Sequence, residues 1–152
     1  KTIATLALDP KLWESAMEFQ INRMGYNEHR WLDSGDVPNV QFLASVCEIA
    51  RQTPNVMHWL PTREVKTLLA FIKQYGADHI PSNLNIRVSA PMVNDKPLSA
   101  FDNMPQITTS TVHDKHNAPQ GHSCPARNQG NACGDCRACW NSKVANVSYP
   151  IH

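Results

Sequence analysis

Apolar and polar residues follow one another along residues 1–112 in the rhythm of alternating helices and strands. Between Leu12 and Met24, apolar side chains recur at helical spacing after an N-cap signal at Asp9 and a proline at the first helical position. Asp36 and Thr62 are the expected caps of two further helices. The pattern predicts helices over residues 9–24, 38–51 and 62–76, and strands over residues 29–32, 56–60, 84–89 and 107–112.

The predicted strands recur at a regular interval, which indicates how the sheet is assembled. Trp31, Trp59 and Arg87 stand 28 residues apart, a spacing that suits a strand, a helix and their loops. Such units build parallel sheets with right-handed crossovers. We therefore expect an α/β fold whose parallel sheet can close into a partial barrel. Residues 90–106, with three prolines, show no pattern for a crossover helix.

Polar residues gather where the predicted strands end, which is where ligands bind in parallel sheets. The third strand also alternates sharply, with Asn85, Arg87 and Ser89 on one face, although central parallel strands are normally apolar on both faces. This indicates a polar pocket or a water-filled interior. The candidate catalytic residues are Asp33, Arg63, Arg87 and Ser89. For Arg87 the alternative is an internal ion pair with Asp33 or Asp36.

Composition and charge restrict the class of protein. The chain has 152 residues, 41% of them hydrophobic and 18% charged, with a net charge of +1; these values are typical of one folded globular domain. We expect a single domain over residues 1–152, with a sheet part at 1–112 and a cysteine-rich tail at 113–152. The charge gives no strong argument for nucleic acid. No apolar run reaches the roughly 20 residues of a membrane span, and no secretory signal is visible, so we expect a cytoplasmic protein.

Four of the five cysteines lie within sixteen residues near the C-terminus, at Cys124, Cys133, Cys136 and Cys139. Four thiolates suit a [4Fe–4S] cluster, and the last three form a tight loop that a fourth ligand from upstream completes. Structural zinc favours two separated Cys-x-x-Cys pairs, so Zn²⁺ is the second alternative and disulfides or free thiols are the third. The spacing favours the cluster, and we expect a cysteine-rich metal-binding loop.

Other residues near the cysteine segment have simpler interpretations. Arg127 and Arg137 can offset the negative charge of a cluster or can be solvated loop charges. Trp140 can shield the site or belong to the core. His113, His116 and His122 precede the segment, and one of them can replace Cys124 as a ligand. Cys47 lies on the apolar stripe of the second helix, so we expect it to be a buried and inert core thiol.

These observations support two hypotheses from different functional classes. The first is an iron–sulfur protein with an electron-transfer or redox-enzyme role, working with a redox partner or a small-molecule ligand. The alternative is a zinc-stapled module that binds a host protein or, against the evidence of the net charge, nucleic acid. Metal analysis and a visible absorption spectrum separate the two.

Several longer motifs resemble the gene-product-88-like family of bacteriophage proteins, over about residues 28–152: RWLDSGD at 30–36, WLPTRE at 59–64, NLNIRVSA at 83–90 and CGDCRACW at 133–140. The resemblance implies a phage-encoded protein in the host cytoplasm. The resemblance also implies that relatives carry a further cysteine-bearing segment upstream, so we expect this chain to be a shortened member of the family or a fragment. The outline is also similar to radical-SAM partial barrels, but their Cys-x3-Cys-x2-Cys motif is absent here.

Overall fold

The computed structural model describes residues 8–151; residues 1–7 and 152, which the predicted single domain includes, lie outside this part. Along the described residues the α-helices are α1 (Pro10–Met24), α2 (Val40–Gln52) and α3 (Val65–Tyr75). The strands are β1 (Glu28–Arg30), β2 (Met57–Thr62), β3 (Leu84–Val93), β4 (Ile107–His113), β5 (His122–Ser123) and β6 (Asn146–Pro150).

The helix ends follow local sequence signals, with two corrections. Asp9 accepts a hydrogen bond from the Leu12 N–H at 3.1 Å, and Gly25 ends α1 in the left-handed region at φ 68°. The predicted cap of α2 at Asp36 is wrong, since Asn39 caps it through the Phe42 N–H at 2.9 Å. The helix therefore begins at Val40. Thr62 is also not the direct cap of α3, because it is the last residue of β2.

The sheet has six parallel strands in the order β1-β2-β3-β4-β6-β5 and curls into a half-barrel. The predicted α/β class and parallel partial barrel are confirmed. Residues 94–106 connect β3 to β4 without a helix, as their composition predicted. The sequence pattern missed β5 and β6, by which the cysteine-rich tail adds two strands to the sheet. β6 lies beside β4, with Ser110 opposite Val147.

The two faces of the sheet are different in chemistry. Leu84, Ile86 and Val88 lie in the main apolar core, which the helices cover. Asn85 and Arg87 on the opposite face of β3 are also buried, at 1% and 0% exposure, under the cysteine-rich tail. A second, smaller apolar cluster lies on this side and contains Trp59, Ala138, Cys139, Val147 and the partly buried residues packed against them. The polar face of β3 thus supports the tail.

A buried histidine connects β2 to the helical layer. The Trp31 indole N–H donates to Nδ1 of His58 at 3.2 Å, and Nε2 lies 2.8 Å from the Thr53 hydroxyl. Since that hydroxyl donates to the Ile49 carbonyl at 2.8 Å, the network assigns the neutral tautomer with its proton on Nε2. Burial, together with nearby His29, lowers the pKa of His58 from 6.5 to about 4.

Among residues 8–151 no helix has both the length and the apolar content that crossing a membrane requires.

Candidate functional site

All four clustered cysteines line one narrow cavity, here called the cysteine cavity, together with His122 and Trp140 among others. Cys124 follows β5, and its N–H donates to the Ser148 carbonyl of β6 at 2.9 Å. Cys139 belongs to the short 3₁₀ turn Ala138–Trp140. The thiols grade from buried Cys139 to exposed Cys133, and all five cysteines of the chain are free. One wall of the site therefore faces the protein and the other faces solvent.

The loop that carries Cys133 and Cys136 is held by hydrogen bonds to its backbone carbonyls. The Gln129 amide donates to the Ala132 and Cys133 carbonyls at 3.2 and 3.1 Å. The Arg137 guanidinium donates to the Gly134 and Cys136 carbonyls at 2.7 and 2.9 Å. Gly134 has φ 54°, and a Cβ there would lie 3.0 Å from the Gln129 amide nitrogen, so glycine suits this turn. Polar contacts, rather than an apolar core, thus shape the loop.

Two of the sulfurs have polar neighbours inside the described chain. Cys139 Sγ lies 3.1 Å from the Tyr149 hydroxyl, and Cys136 Sγ lies 3.4 Å from His122 Nε2. Burial raises the pKa of Cys139, although the Tyr149 hydrogen bond and the charge of Arg87 act in the opposite direction. Burial also raises the pKa of Tyr149, so its phenol is protonated and can donate to the sulfur.

Beneath the cysteine segment lies a fully buried cation, Arg87. Its guanidinium donates to the carbonyls of Thr109 at 2.7 Å, Ala138 at 3.0 Å and Val144 at 3.2 Å. The predicted ion pair with Asp33 or Asp36 is wrong: within residues 8–151 Arg87 has no carboxylate partner, and its Nε has no hydrogen-bond acceptor. Burial lowers the pKa of Arg87, while neighbouring Tyr149 and Cys139 oppose this effect.

The neighbouring Asn85 reinforces this support. Its amide donates to the Cys139 carbonyl at 2.8 Å and accepts from the Thr108 hydroxyl at 3.0 Å. The polar residues of β3 therefore hold the backbone of the Ala138–Trp140 turn in place.

The predicted polar pocket is only partly assembled. Arg63 and Ser89 line a cavity of about 290 Å³ at the carboxyl ends of β3, β4 and β6, here called the strand-end cavity. The Ser89 and Ser110 hydroxyls lie 2.9 Å apart on its wall. Asp33 does not join them, since its side chain is 92% exposed and lies 4.0 Å from Arg30. Arg87 lies beneath the cysteine segment instead.

Asp36 has a role that its sequence position did not reveal. Its carboxylate accepts hydrogen bonds from the Thr62 hydroxyl at 2.6 Å and from the Arg63 N–H at 2.8 Å. It thereby joins the loop after β1 to the end of β2 and anchors the backbone of Arg63. The two positions are 26 and 27 residues from Asp36, so no local pattern indicates the contact.

Aromatic and cationic side chains close the outer side of the cysteine cavity. The Trp140 indole N–H donates to the His29 carbonyl at 3.0 Å, and its ring packs edge-on against Trp59. Arg137 pairs with Glu28 at 3.0 Å. Trp140 therefore lines the cysteine cavity and also packs against the smaller apolar cluster, so the shielding role and the core role predicted as alternatives are compatible. Cys47 is fully buried in the main core, and burial raises its pKa to about 12.

The metal-binding donor atoms of residues 8–151 are not arranged around a common point. No group of three or more His, Cys, Asp or Glu side chains in residues 8–151 is arranged to hold one. The four sulfurs share a cavity without forming a coordination site in the chain alone.

Comparison with known proteins identifies a family. The model of a protein family described as Gene product 88 matches residues 3–142 of this chain. Neither the curated proteins nor the solved structures contain a match.

Proposed function

The chain belongs to the Gene product 88 family, whose matched region includes all four clustered cysteines, and we propose that these cysteines hold one [4Fe–4S] cluster. The observation that carries the proposal is the position of Cys124, Cys133, Cys136 and Cys139 on the walls of one cavity. Four thiolates are the usual ligands of such a cluster. Cys124 and Cys139 come from elements hydrogen-bonded to the sheet, so two ligands have fixed backbones.

The buried charge of Arg87 supports the same assignment. An isolated buried cation is strongly unfavourable unless an opposite charge or several hydrogen bonds compensate it. Backbone carbonyls supply part of this compensation, but no carboxylate of the described residues pairs with Arg87. A cluster with four thiolate ligands is anionic, and it would lie next to the guanidinium because Arg87 holds the Ala138 carbonyl beside Cys139. The chain thus offers positive charge where the proposed group needs it.

Binding requires the cysteine cavity to widen. Since no three donors within residues 8–151 are arranged to hold one ion, the thiols of the loop must turn toward the incoming group. The exposed loop around Cys133 can move most easily, because side-chain contacts to its own carbonyls hold it rather than the core. The buried end at Cys139 stays fixed by Asn85 and Arg87.

The role we propose is electron transfer, since a bound cluster of this type supplies one electron at a time. Hydrogen bonds to cluster sulfurs and nearby cations raise the reduction potential. Tyr149 is placed to donate to the Cys139 sulfur, and Arg87 supplies the cation. The exposed side at Cys133 suits a redox partner. The Tyr149 side adjoins the strand-end cavity, where Arg63 and Ser89 could position a small substrate for a redox reaction.

The test is purification without oxygen, followed by iron and acid-labile sulfide analysis, visible absorption and electron paramagnetic resonance after reduction. We expect a brown protein with about four iron atoms per chain. Cys139→Ser should lose most of the iron. Cys47→Ala is the matched control and should keep it, because Cys47 lies in the opposite core.

A colourless protein with one zinc and no sulfide would reject the cluster. That result would favour the zinc-stapled interaction module, whose signature is salt-sensitive binding that does not depend on redox state. Equal iron content in the Cys139→Ser and Cys47→Ala proteins would reject the assigned ligands even if iron is present.

A further inference from the structure

A cavity of about 670 Å³ lies at the carboxyl ends of β4 and β6, and we call it the loop cavity. Ligands of parallel sheets bind at this end of the strands, and the volume is within the roughly 300–1,000 Å³ of ordinary ligand pockets. Two loops face each other across it, one following β4 and one following β5. Lys115 stands on the first and Arg127 on the second.

The cations of the loop cavity are available to a ligand. Within residues 8–151, neither Lys115 nor Arg127 forms a salt bridge. Arg127 donates from Nη1 to the Ile151 carbonyl at 3.0 Å, which fixes the guanidinium and leaves most of its five N–H donors without an acceptor among the described residues.

Among the described residues of the cavity wall, the one carboxylate is that of Asp114, and it already accepts local hydrogen bonds. It accepts hydrogen bonds from the His116 N–H at 2.8 Å and from the amides of Asn117 and Asn94, both at 2.9 Å. These donors lower the pKa of Asp114 to about 2. Local donors thus satisfy the oxygens of Asp114 in the turn after β4, and the two positive charges of Lys115 and Arg127 exceed its single negative charge.

Further polar groups complete the walls. His113 lies 2.7 Å from the Ser148 hydroxyl through Nδ1, which leaves Nε2 for another partner. The Ser123 hydroxyl and the Asn128 amide also line the cavity. This inventory of two cations, an imidazole, a hydroxyl and an amide suits an anion with several oxygen acceptors.

We propose that the loop cavity binds a small phosphate-bearing molecule, with the phosphate between Lys115 and Arg127. A phosphate monoester carries a charge of about −1.5 to −2 near neutral pH, which matches two cations, whereas a single carboxylate would leave one of them unpaired. The guanidinium and the ammonium are the usual protein ligands of phosphate. Cys124 lines both this cavity and the cysteine cavity, so the bound molecule lies next to the proposed cluster. The binding itself does not depend on the cluster.

The experiment is isothermal titration calorimetry of the full chain with pyrophosphate and with AMP, using acetate as the single-carboxylate comparison. We expect the phosphate compounds to bind with submillimolar affinity and acetate to bind at least tenfold more weakly. The double variant Lys115→Ala/Arg127→Ala should weaken phosphate binding by roughly tenfold or more for each lost charged contact. Both side chains are exposed, so the variant should fold, which circular dichroism checks.

The matched control is Lys66→Ala/Lys73→Ala, which removes the same charge from the exposed face of α3 and should leave binding unchanged. Three results would overturn the proposal: no binding of either phosphate compound below millimolar concentration, an equal loss in the control, or acetate binding as tight as phosphate.

Discussion

Replacing Arg87 with methionine tests whether this buried cation holds the cysteine segment on the sheet. The variant keeps a long apolar side chain but removes three hydrogen bonds shorter than 3.3 Å, to the carbonyls of Thr109, Ala138 and Val144. A hydrogen bond from a charged donor contributes about 1.5–3 kcal/mol. Removing the cation also relieves its own desolvation, so the lower end of that range applies to each bond.

We therefore expect Arg87→Met to lower the free energy of unfolding by about 3–5 kcal/mol. For a domain of this length, each kcal/mol shifts the melting temperature by roughly 2–4 °C, so the melting temperature should fall by about 6–20 °C. Urea unfolding followed by tryptophan fluorescence reports the change directly, because Trp59 and Trp140 pack edge-on beside the cysteine cavity. Both proteins are compared in the same state of metal loading.

Arg63→Met is the matched control, since Arg63 is exposed and its side chain makes no hydrogen bond or salt bridge to residues 8–151. It should change the free energy of unfolding by less than about 0.5 kcal/mol. If Arg87→Met unfolds within about 1 kcal/mol of the unmodified protein, the guanidinium does not support the tail, and the electrostatic argument for the cluster loses its basis.

Three further predictions concern other hydrogen-bonded polar residues, of which His58 is buried and Asp36 and Asn83 are partly buried. The lowered pKa of His58 means that the folded state resists protonation, so this contribution to the free energy of unfolding is complete above the unfolded pKa of 6.5 and falls by up to about 3 kcal/mol as the pH drops toward 4. In chemical unfolding across this range, the free energy of unfolding of His58→Gln should depend less on pH than that of the unmodified protein. An equal pH dependence would contradict the role of His58. Asp36→Ala should cost about 2–3 kcal/mol through two lost hydrogen bonds, whereas exposed Asp33→Ala should be nearly neutral; equal effects in thermal melts would refute the anchoring role. Asn83→Ala should cost about 2 kcal/mol, because its amide donates to carbonyls at the end of α2 and in the turn that follows, and a melting temperature unchanged by this variant would exclude that role.

The electrostatic environment differs between the two sides of the proposed cluster site. The buried side has Arg87 and Tyr149, and the exposed side has Cys133. An electron that a partner donates at the exposed side would be stabilised by the positive charge of Arg87 at the buried side. The strand-end and loop cavities both adjoin the same edge of the sheet through Pro150 and Ile151. A small molecule bound at either one would lie close to the cysteine cavity.

Local sequence signals were sufficient for much of the fold. The caps at Asp9 and Gly25, the apolar stripes of the helices and the alternation of β3 all act within a few residues, so their consequences can be predicted from the chain alone. The grouping of Cys133, Cys136 and Cys139 is of the same kind, because residues three apart in a tight turn must be neighbours. The regular interval of the strands also indicated a parallel sheet.

Tertiary structure alone decided how the distant segments meet. The insertion of β6 beside β4 brings Tyr149 to Cys139 and Val144 to Arg87, a residue 57 positions earlier in the chain. Asp36 became an anchor for Arg63 instead of a helix cap, and Arg87 found backbone carbonyls instead of a carboxylate. Periodicity and capping depend on neighbours along the chain, whereas the partner of a buried polar group depends on which strands become adjacent when the sheet closes. That order is set by the packing of the whole domain, and no short motif contains it.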